Sequence, residues 1–403
     1  MASDDASGGR TASEGGPRRD AALGDAAVAL TGALVEIDSV NPGLVPGAAG
    51  ETAIVEHLRD RLSGSGFESH VVNPPGHASR PSLVAVGPLA APGPTVVLTG
   101  HVDTVGVEGM TDPFLPRVDG DRLEGRGACD MKGGVAAMVV AAEELVRRRM
   151  PGRVVLALVA DEEDESLGTL SVLEALPGFG VRADVAVIGE PTWLALAQSL
   201  RGYALVEVTL TGRAAHSSQP ELGVNAVTHL GRLLAAVESR GSEVAERGGS
   251  LMATLASGGE SPFVLARTAT ALVERRTVPG EQSHDALTEV EHLLVHLRLQ
   301  DDTVVSHARL VVARDPWRLD ETGPAATLAR DLERALGDDA EPEPFHAPYW
   351  MEAPLWQAAG IPTVVCGPAG GGLHAAEEWV DLHQVRRFTV ALTDAVTTWA
   401  GSA

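Results

Sequence analysis

Apolar residues recur at helical spacing over Ala21–Ile37 and again over Glu51–Ser63, so both segments are predicted to be helices. Short, continuously apolar runs follow at Ser82–Val86, Thr95–Leu98, Val154–Val159, Val185–Ile188 and Thr363–Val365. Helical periods separate them, notably at Gly133–Arg149 and Ala325–Leu336. Strands that are apolar on both faces, alternating with helices, predict an α/β sheet covered on both sides.

Between Arg201 and Arg314 the pattern changes. Tyr203–Leu210 alternates like a half-exposed strand, and a helix over Val224–Ser239 follows. Strands at Leu251–Ala256 and Ala269–Arg275, a helix at Asp285–Leu297 and a strand at Val304–Val312 complete a β-α-β-β-α-β order. That order is the ferredoxin-like module. The expected organisation is a polar, disordered leader over 1–20, a larger α/β domain over 21–200, an inserted domain over 201–314, and the rest of the larger domain over 315–403.

Composition sharpens this picture in three ways. With 403 residues, 31 basic and 55 acidic side chains, the formal net charge is −24, which argues against nucleic acid or anionic membranes as partners. Two cysteines exclude a disulfide scaffold. No apolar run approaches the length of a membrane span, and no secretory signal is visible, so a cytoplasmic protein is expected. Lys132 is the one lysine in the chain.

The chemistry lies just beyond the strands. Thr95–Leu98 runs into Thr-Gly-His101-Val-Asp103, Val154–Val159 into Ala-Asp161-Glu162-Glu163, and Val185–Ile188 into Gly-Glu190-Pro191. Thr363–Val365 leads through a glycine-rich loop to His374, and Asp130 stands ahead of the Gly133–Arg149 helix. Open α/β sheets bind ligands outside the carboxyl ends of their strands. Imidazole and carboxylate donors delivered to one edge describe a metal site. Each donor alone has an ordinary reading, as a solvated acid or a capping histidine, and the inference rests on the set. Cys129 could add a thiolate, although a small buried cysteine fits its position as well. No P-loop or G-x-S-x-G elbow is present.

These residues, with Gly125-Arg-Gly-Ala-Cys-Asp130-Met-Lys132-Gly-Gly, Gly189-Glu190-Pro191-Thr192 and His374-Ala-Ala-Glu-Glu378, resemble the dinuclear zinc peptidase/deacylase family. That family includes acetylornithine deacetylases, succinyl-diaminopimelate desuccinylases, aminoacylases and glutamate-releasing carboxypeptidases. The segments Gly212-Arg-Ala-Ala-His216 and Glu274-Arg-Arg276-Thr-Val-Pro279 are similar to its lid and dimerisation domain. The resemblance implies a mixed-sheet α/β/α catalytic domain with an inserted ferredoxin-like lid. It implies two divalent metal ions, Zn²⁺ with Co²⁺ or Mn²⁺ as substitutes. One is held by His101 and Glu190, the other by Glu163 and His374, with Asp130 bridging.

The resemblance also implies roles around the metals. Asp103 would orient His101 through its other ring nitrogen, and Glu378 would do something similar near His374. Glu162 would be the general base, the reverse order of Glu162 and Glu163 being the competing assignment. His216 would reach the partner subunit's reaction as an oxyanion donor, and Arg276 would take a substrate carboxylate. Read alone, these two are a histidine near a strand end and one of several alternating surface charges. The implied substrate is an N-acyl amino acid or a short peptide, hydrolysed by a homodimer. Dipeptidase, carboxypeptidase or desuccinylase-like action is the alternative within the family, and a binding protein that lost catalysis is the alternative outside it. Trp350-Met-Glu352, where relatives place an aspartate, and the unusual segment 261–267 bear on the substrate rather than on the reaction.

Overall fold

The computed structural model describes residues 16–337 and 344–402. The chain folds as two compact units. The first runs to Leu196 and resumes at Asp320 and again at Leu355, and the second comprises Ala197–Leu319 and Pro344–Pro354.

The first unit is built on a six-stranded mixed sheet, in the order Glu68–Val72, Ser82–Val86, Arg153–Val159, Thr95–His101, Val185–Ile188, Thr363–Val365. The last four are parallel to one another, and Ser82–Val86 runs antiparallel to both of its neighbours. Their apolar sequences are explained by burial, since Ser82–Val86 and Val185–Ile188 are buried throughout. Register decides what the sheet can do. His101 lies opposite Val159, Thr99 opposite Ile188, and Ile188 opposite Val365, so four parallel strands end within two residues of one another at one edge.

The helix Gly133–Arg147 is apolar nearly all round and is buried on nearly every side. It packs against Gly16–Val35 and Leu382–Ser402, and the latter packs on Gly323–Leu336. A small sheet of Arg117–Asp119, Arg122–Glu124, Trp379–Asp381 and Gly370–Gly371 ties the chain's last loop to the segment leading into Asp130.

In the second unit, four antiparallel strands lie in the order Ser250–Gly258, Thr268–Thr277, Gly202–Thr211, Val305–Arg314. The helices Ala226–Ala245 and Asp285–Gln300 pack on this sheet. Alternate residues of Gly202–Thr211, including Ala204, Val206, Val208 and Leu210, enter a core shared with Leu230, Leu233, Val290 and Leu294. This is the expected ferredoxin-like arrangement.

Three boundaries differ from the sequence reading. The first helix begins at Gly16, inside the segment assigned to a disordered leader, and residues 1–15 lie outside the described residues. The helix expected at Val224 starts two residues later, because the Asn225 side chain accepts the Val227 amide at 3.2 Å and caps it. Residues 344–354 join the second unit because Phe345–Ala347 pairs in parallel with Ala197–Leu200, against which Trp317–Arg318 also lies. Among the described residues no helix is long and apolar enough to cross a membrane.

Candidate metal centre

Strand termination places the donors. His101 is the last residue of its strand, Glu162 and Glu163 follow Arg153–Val159, and Glu190 follows Val185–Ile188. Asp130 comes from the turn Ala128–Lys132 that leads into the buried helix. His374, in a left-handed backbone conformation, comes from the loop between Gly370–Gly371 and Trp379–Asp381.

These side chains converge on Asp130. Its Oδ1 lies 3.0 Å from Nε2 of His101, which is 3.8 Å from Oε1 of Glu190. Its Oδ2 lies 3.3 Å from Nε2 of His374, which is 3.0 Å from Oε2 of Glu163. The result is two imidazole–carboxylate pairs, one on each oxygen of a shared carboxylate. Donor atoms of His101, Asp130 and Glu163 lie within 4.8 Å of one another, as do those of His101, Glu162 and Glu190. His101 and Glu190 are buried, whereas His374 is half-exposed and leaves the centre open on its side.

The donors fit divalent cations. Oε1 of Glu163 is buried without a hydrogen-bond partner among the described residues, although buried carboxylate oxygens are ordinarily satisfied. Hydrogen bonding to Asp130 and Glu163 draws His374 up to about 10. Burial pulls His101 down, but Asp103, Asp130 and Glu190 together hold it well above its ordinary value. Burial and the charge of Asp130 raise Glu163. The cavity therefore favours positive charge between its carboxylates, and mixed nitrogen and oxygen donors suit Zn²⁺ and its neighbours in the first transition row.

Two supporting residues do more than the sequence suggests. Nδ1 of His101 meets the backbone carbonyl of Asp103 at 3.0 Å, with the Asp103 carboxylate 3.5 Å away. Both acceptors favour a proton on Nδ1 and leave Nε2 to face Asp130. The buried Asp103 carboxylate also accepts the amides of Glu162 and Glu163, at 3.2 and 3.3 Å. Glu378 holds the Asp130 loop rather than the His374 ring. It accepts Arg126 at 2.7 Å and the amides of Gly127, Cys129 and Asp130 at 2.9, 3.0 and 3.0 Å.

Lys132 donates to the Ile37 carbonyl at 2.8 Å, and burial pulls its amine down to about 7, so it is a buried peg between segments. Cys129 is buried and belongs to no donor group among the described residues, and burial pushes its thiol up. The buried bracing roles of Arg126, Arg80, Asn41 and Asp161 escaped the sequence reading. A buried guanidinium or amide leaves no periodic signal.

His216 and Arg276 belong to the second unit. His216 is at the surface, with Nδ1 2.7 Å from Oγ of Ser218. Arg276 pairs with Glu274 and lies over the Tyr203 ring, 5.2 Å from its centroid.

The sequence pattern of peptidase family M20/M25/M40 matches residues 97–398, and the chain belongs to that family. An acetylornithine deacetylase of Myxococcus xanthus is 29% identical over 364 residues, covering 86% of this chain and 92% of its own. A succinyl-diaminopimelate desuccinylase of Cereibacter sphaeroides is 30% identical over 374 residues, covering 89% and 94%. A tripeptidase structure from Staphylococcus aureus shares the fold, with a TM-score of 0.75 at 18% identity over 94% of this chain and 99% of its own. The protein is a metallo-hydrolase acting on amide bonds, in a family that depends on dinuclear metal centres.

Proposed function

We propose that the protein removes the acyl group from an N-acyl amino acid, using two divalent ions and Glu162 as general base. The observation that carries this reading is the shared Asp130 carboxylate, with His101 on one oxygen and His374 on the other. His101 and Glu190 would hold one ion, Glu163 and His374 the other, and Asp130 both, with Zn²⁺ the best match to these donors and Co²⁺ or Mn²⁺ as substitutes. When bound, the ions polarise the scissile carbonyl and lower the pKa of the attacking water.

The chain's own residues do the rest. The Glu162 carboxylate takes the proton released as water attacks and returns it to the leaving amine nitrogen. Glu163 is the better ligand of the two because its Oε2 already lies 3.0 Å from His374. Arg276 offers a planar fork to the carboxylate of the amino-acid product, exchanging its present partner Glu274 for the substrate. His216 donates a hydrogen bond to the developing oxyanion from the partner subunit of a homodimer. The names of both curated relatives describe removal of an acyl group from an amino acid, which supports this substrate class over peptides.

A panel of N-acetylornithine, N-succinyl-diaminopimelate, other N-acyl amino acids and dipeptides tests the substrate. Exclusive turnover of dipeptides would replace the deacylase reading with a peptidase one. Glu162→Gln is expected to keep both metals while kcat falls by about 10²–10⁴. A fully active variant would sink the base assignment. Gel filtration at monomer mass would remove His216 from the mechanism.

A further inference from the structure

A buried polar chain runs behind the centre and ends on the segment that carries Glu162. It starts at Glu51, whose carboxylate takes Nε of Arg80 at 2.9 Å and an Nη at 2.6 Å. The same guanidinium reaches Oδ1 of Asp161 at 2.8 Å. The side-chain amide of Asn41 donates to that oxygen at 3.1 Å and to Oδ2 of Asp103 at 2.8 Å. Asp103 closes the chain on the amides of Glu162 and Glu163. None of these five residues is more than 6% exposed.

Three features make this a positioning device rather than general packing. Asp161, immediately before Glu162, is held at φ +69°, a conformation that costs a non-glycine residue about 1 kcal/mol or more. Its two carboxylate oxygens are both used, Oδ1 by Arg80 and Asn41 and Oδ2 by the Leu167 amide at 3.3 Å. Asn41 is also fixed from behind, since its backbone N–H donates to the Thr104 carbonyl at 2.8 Å and its Oδ1 accepts the Gly43 amide at 2.8 Å. One neutral amide thus links the two carboxylates that brace the base-bearing turn from both ends. A neutral donor suits that place, because a carboxylate there would repel both neighbours.

We infer that Asn41, backed by Arg80, is a positioning residue for Glu162: it sets the turn that aims the base without touching substrate or metal. The inference rests on the reading of Glu162 as base. Displacing a reacting group by about 1 Å can cost on the order of 10²-fold in rate.

The test is a double-mutant cycle in the metal-loaded enzyme, using Asn41→Ala and Glu162→Gln singly and together. Asn41→Ala is expected to keep two metal equivalents by elemental analysis and a KM within about twofold, while kcat falls roughly 10–100-fold. In the Glu162→Gln background the same change should alter the residual rate by less than about threefold, because the group it positions is gone. Wild-type kcat in Asn41→Ala, loss of metal, or the same fractional loss in both backgrounds would overturn the proposal. Arg80→Lys, which keeps the charge but gives up the fork to Glu51 and Asp161, is read in the same cycle and by the same outcomes should Asn41→Ala fail to fold. Failure of the base assignment is visible separately, as full activity of Glu162→Gln alone.

Discussion

Replacing Glu378 by glutamine changes one atom and should cost the first unit much of its stability. The carboxylate has four donors: Oε1 accepts the amides of Cys129 and Asp130, and Oε2 accepts Arg126 and the amide of Gly127. Glu378 is 1% exposed and Arg126 2%, so neither can recover its bonds from water. A glutamine keeps one acceptor oxygen and turns its NH₂ toward the other pair of donors. Two bonds to a charged acceptor are lost, at about 1.5–3 kcal/mol each, and Arg126 is left without its counter-charge. Allowing for relaxation, the expected loss is about 3–5 kcal/mol, or on the order of 10 °C in melting temperature.

Arg126→Met provides the internal control. It leaves the carboxylate with three amide donors, so it should cost less, about 1.5–3 kcal/mol. Calorimetry of the metal-loaded proteins gives the comparison. A Glu378→Gln protein melting within a degree or two of wild type would refute the reasoning, as would an Arg126→Met protein less stable than Glu378→Gln.

Two further expectations follow from the same geometry. Exhaustive chelation should abolish hydrolysis and lower the melting temperature, because ligands that bind the folded state alone stabilise it by about 2.7 kcal/mol per site at a hundredfold excess over Kd; an unchanged thermogram on chelation would contradict a metal centre at Asp130. In the second unit, burial raises Glu289, but hydrogen bonds from Arg240 and Arg275 outweigh it and hold its carboxyl below the ordinary range. The stability this carboxylate contributes is therefore complete above its unfolded pKa and is lost as pH falls through the lower folded value. Glu289→Gln should be destabilised by about 1–3 kcal/mol at pH 7, with the gap to wild type narrowing below about pH 4; a gap that widens in acid would show the sign to be wrong.

The donor set was legible because the strands that deliver it are apolar on both faces and end abruptly at polar residues. His101 ends its strand, and Glu163 and Glu190 lie just beyond theirs, as that pattern requires. The small sheet that fixes His374 was not legible, since strands of two or three residues such as Gly370–Gly371 and Arg122–Glu124 carry no period. Spacing was silent about the backbone. Asp103 is two residues from His101, and its carbonyl meets the ring at 3.0 Å beside the carboxylate at 3.5 Å. The glycines of the Lys132-Gly-Gly segment read as letters of a motif, but one has a steric cause. A Cβ on Gly134 would lie 2.1 Å from the Gly189 carbonyl oxygen, just before Glu190, so the buried helix can approach that backbone only at glycine.

Partner chemistry sets apart two groups among the acids in the interior of this very acidic chain. Glu51 and Asp161 face Arg80, Glu378 faces Arg126, and Glu144 faces Arg148. A guanidinium stays charged at any ordinary pH, so these pairs are complete as folded and brace the structure. Asp130 and Glu163 differ, since among the described residues their cationic partners are the imidazoles of His101 and His374. An imidazole is a cation only while protonated, and the same nitrogen becomes a ligand when it gives up the proton. A buried carboxylate matched to arginine is therefore finished, whereas one matched only to histidine can exchange a proton for a metal ion. On the proposed reading, that exchange would confine metal binding to Asp130 and its neighbours, although buried acids are spread through the first unit.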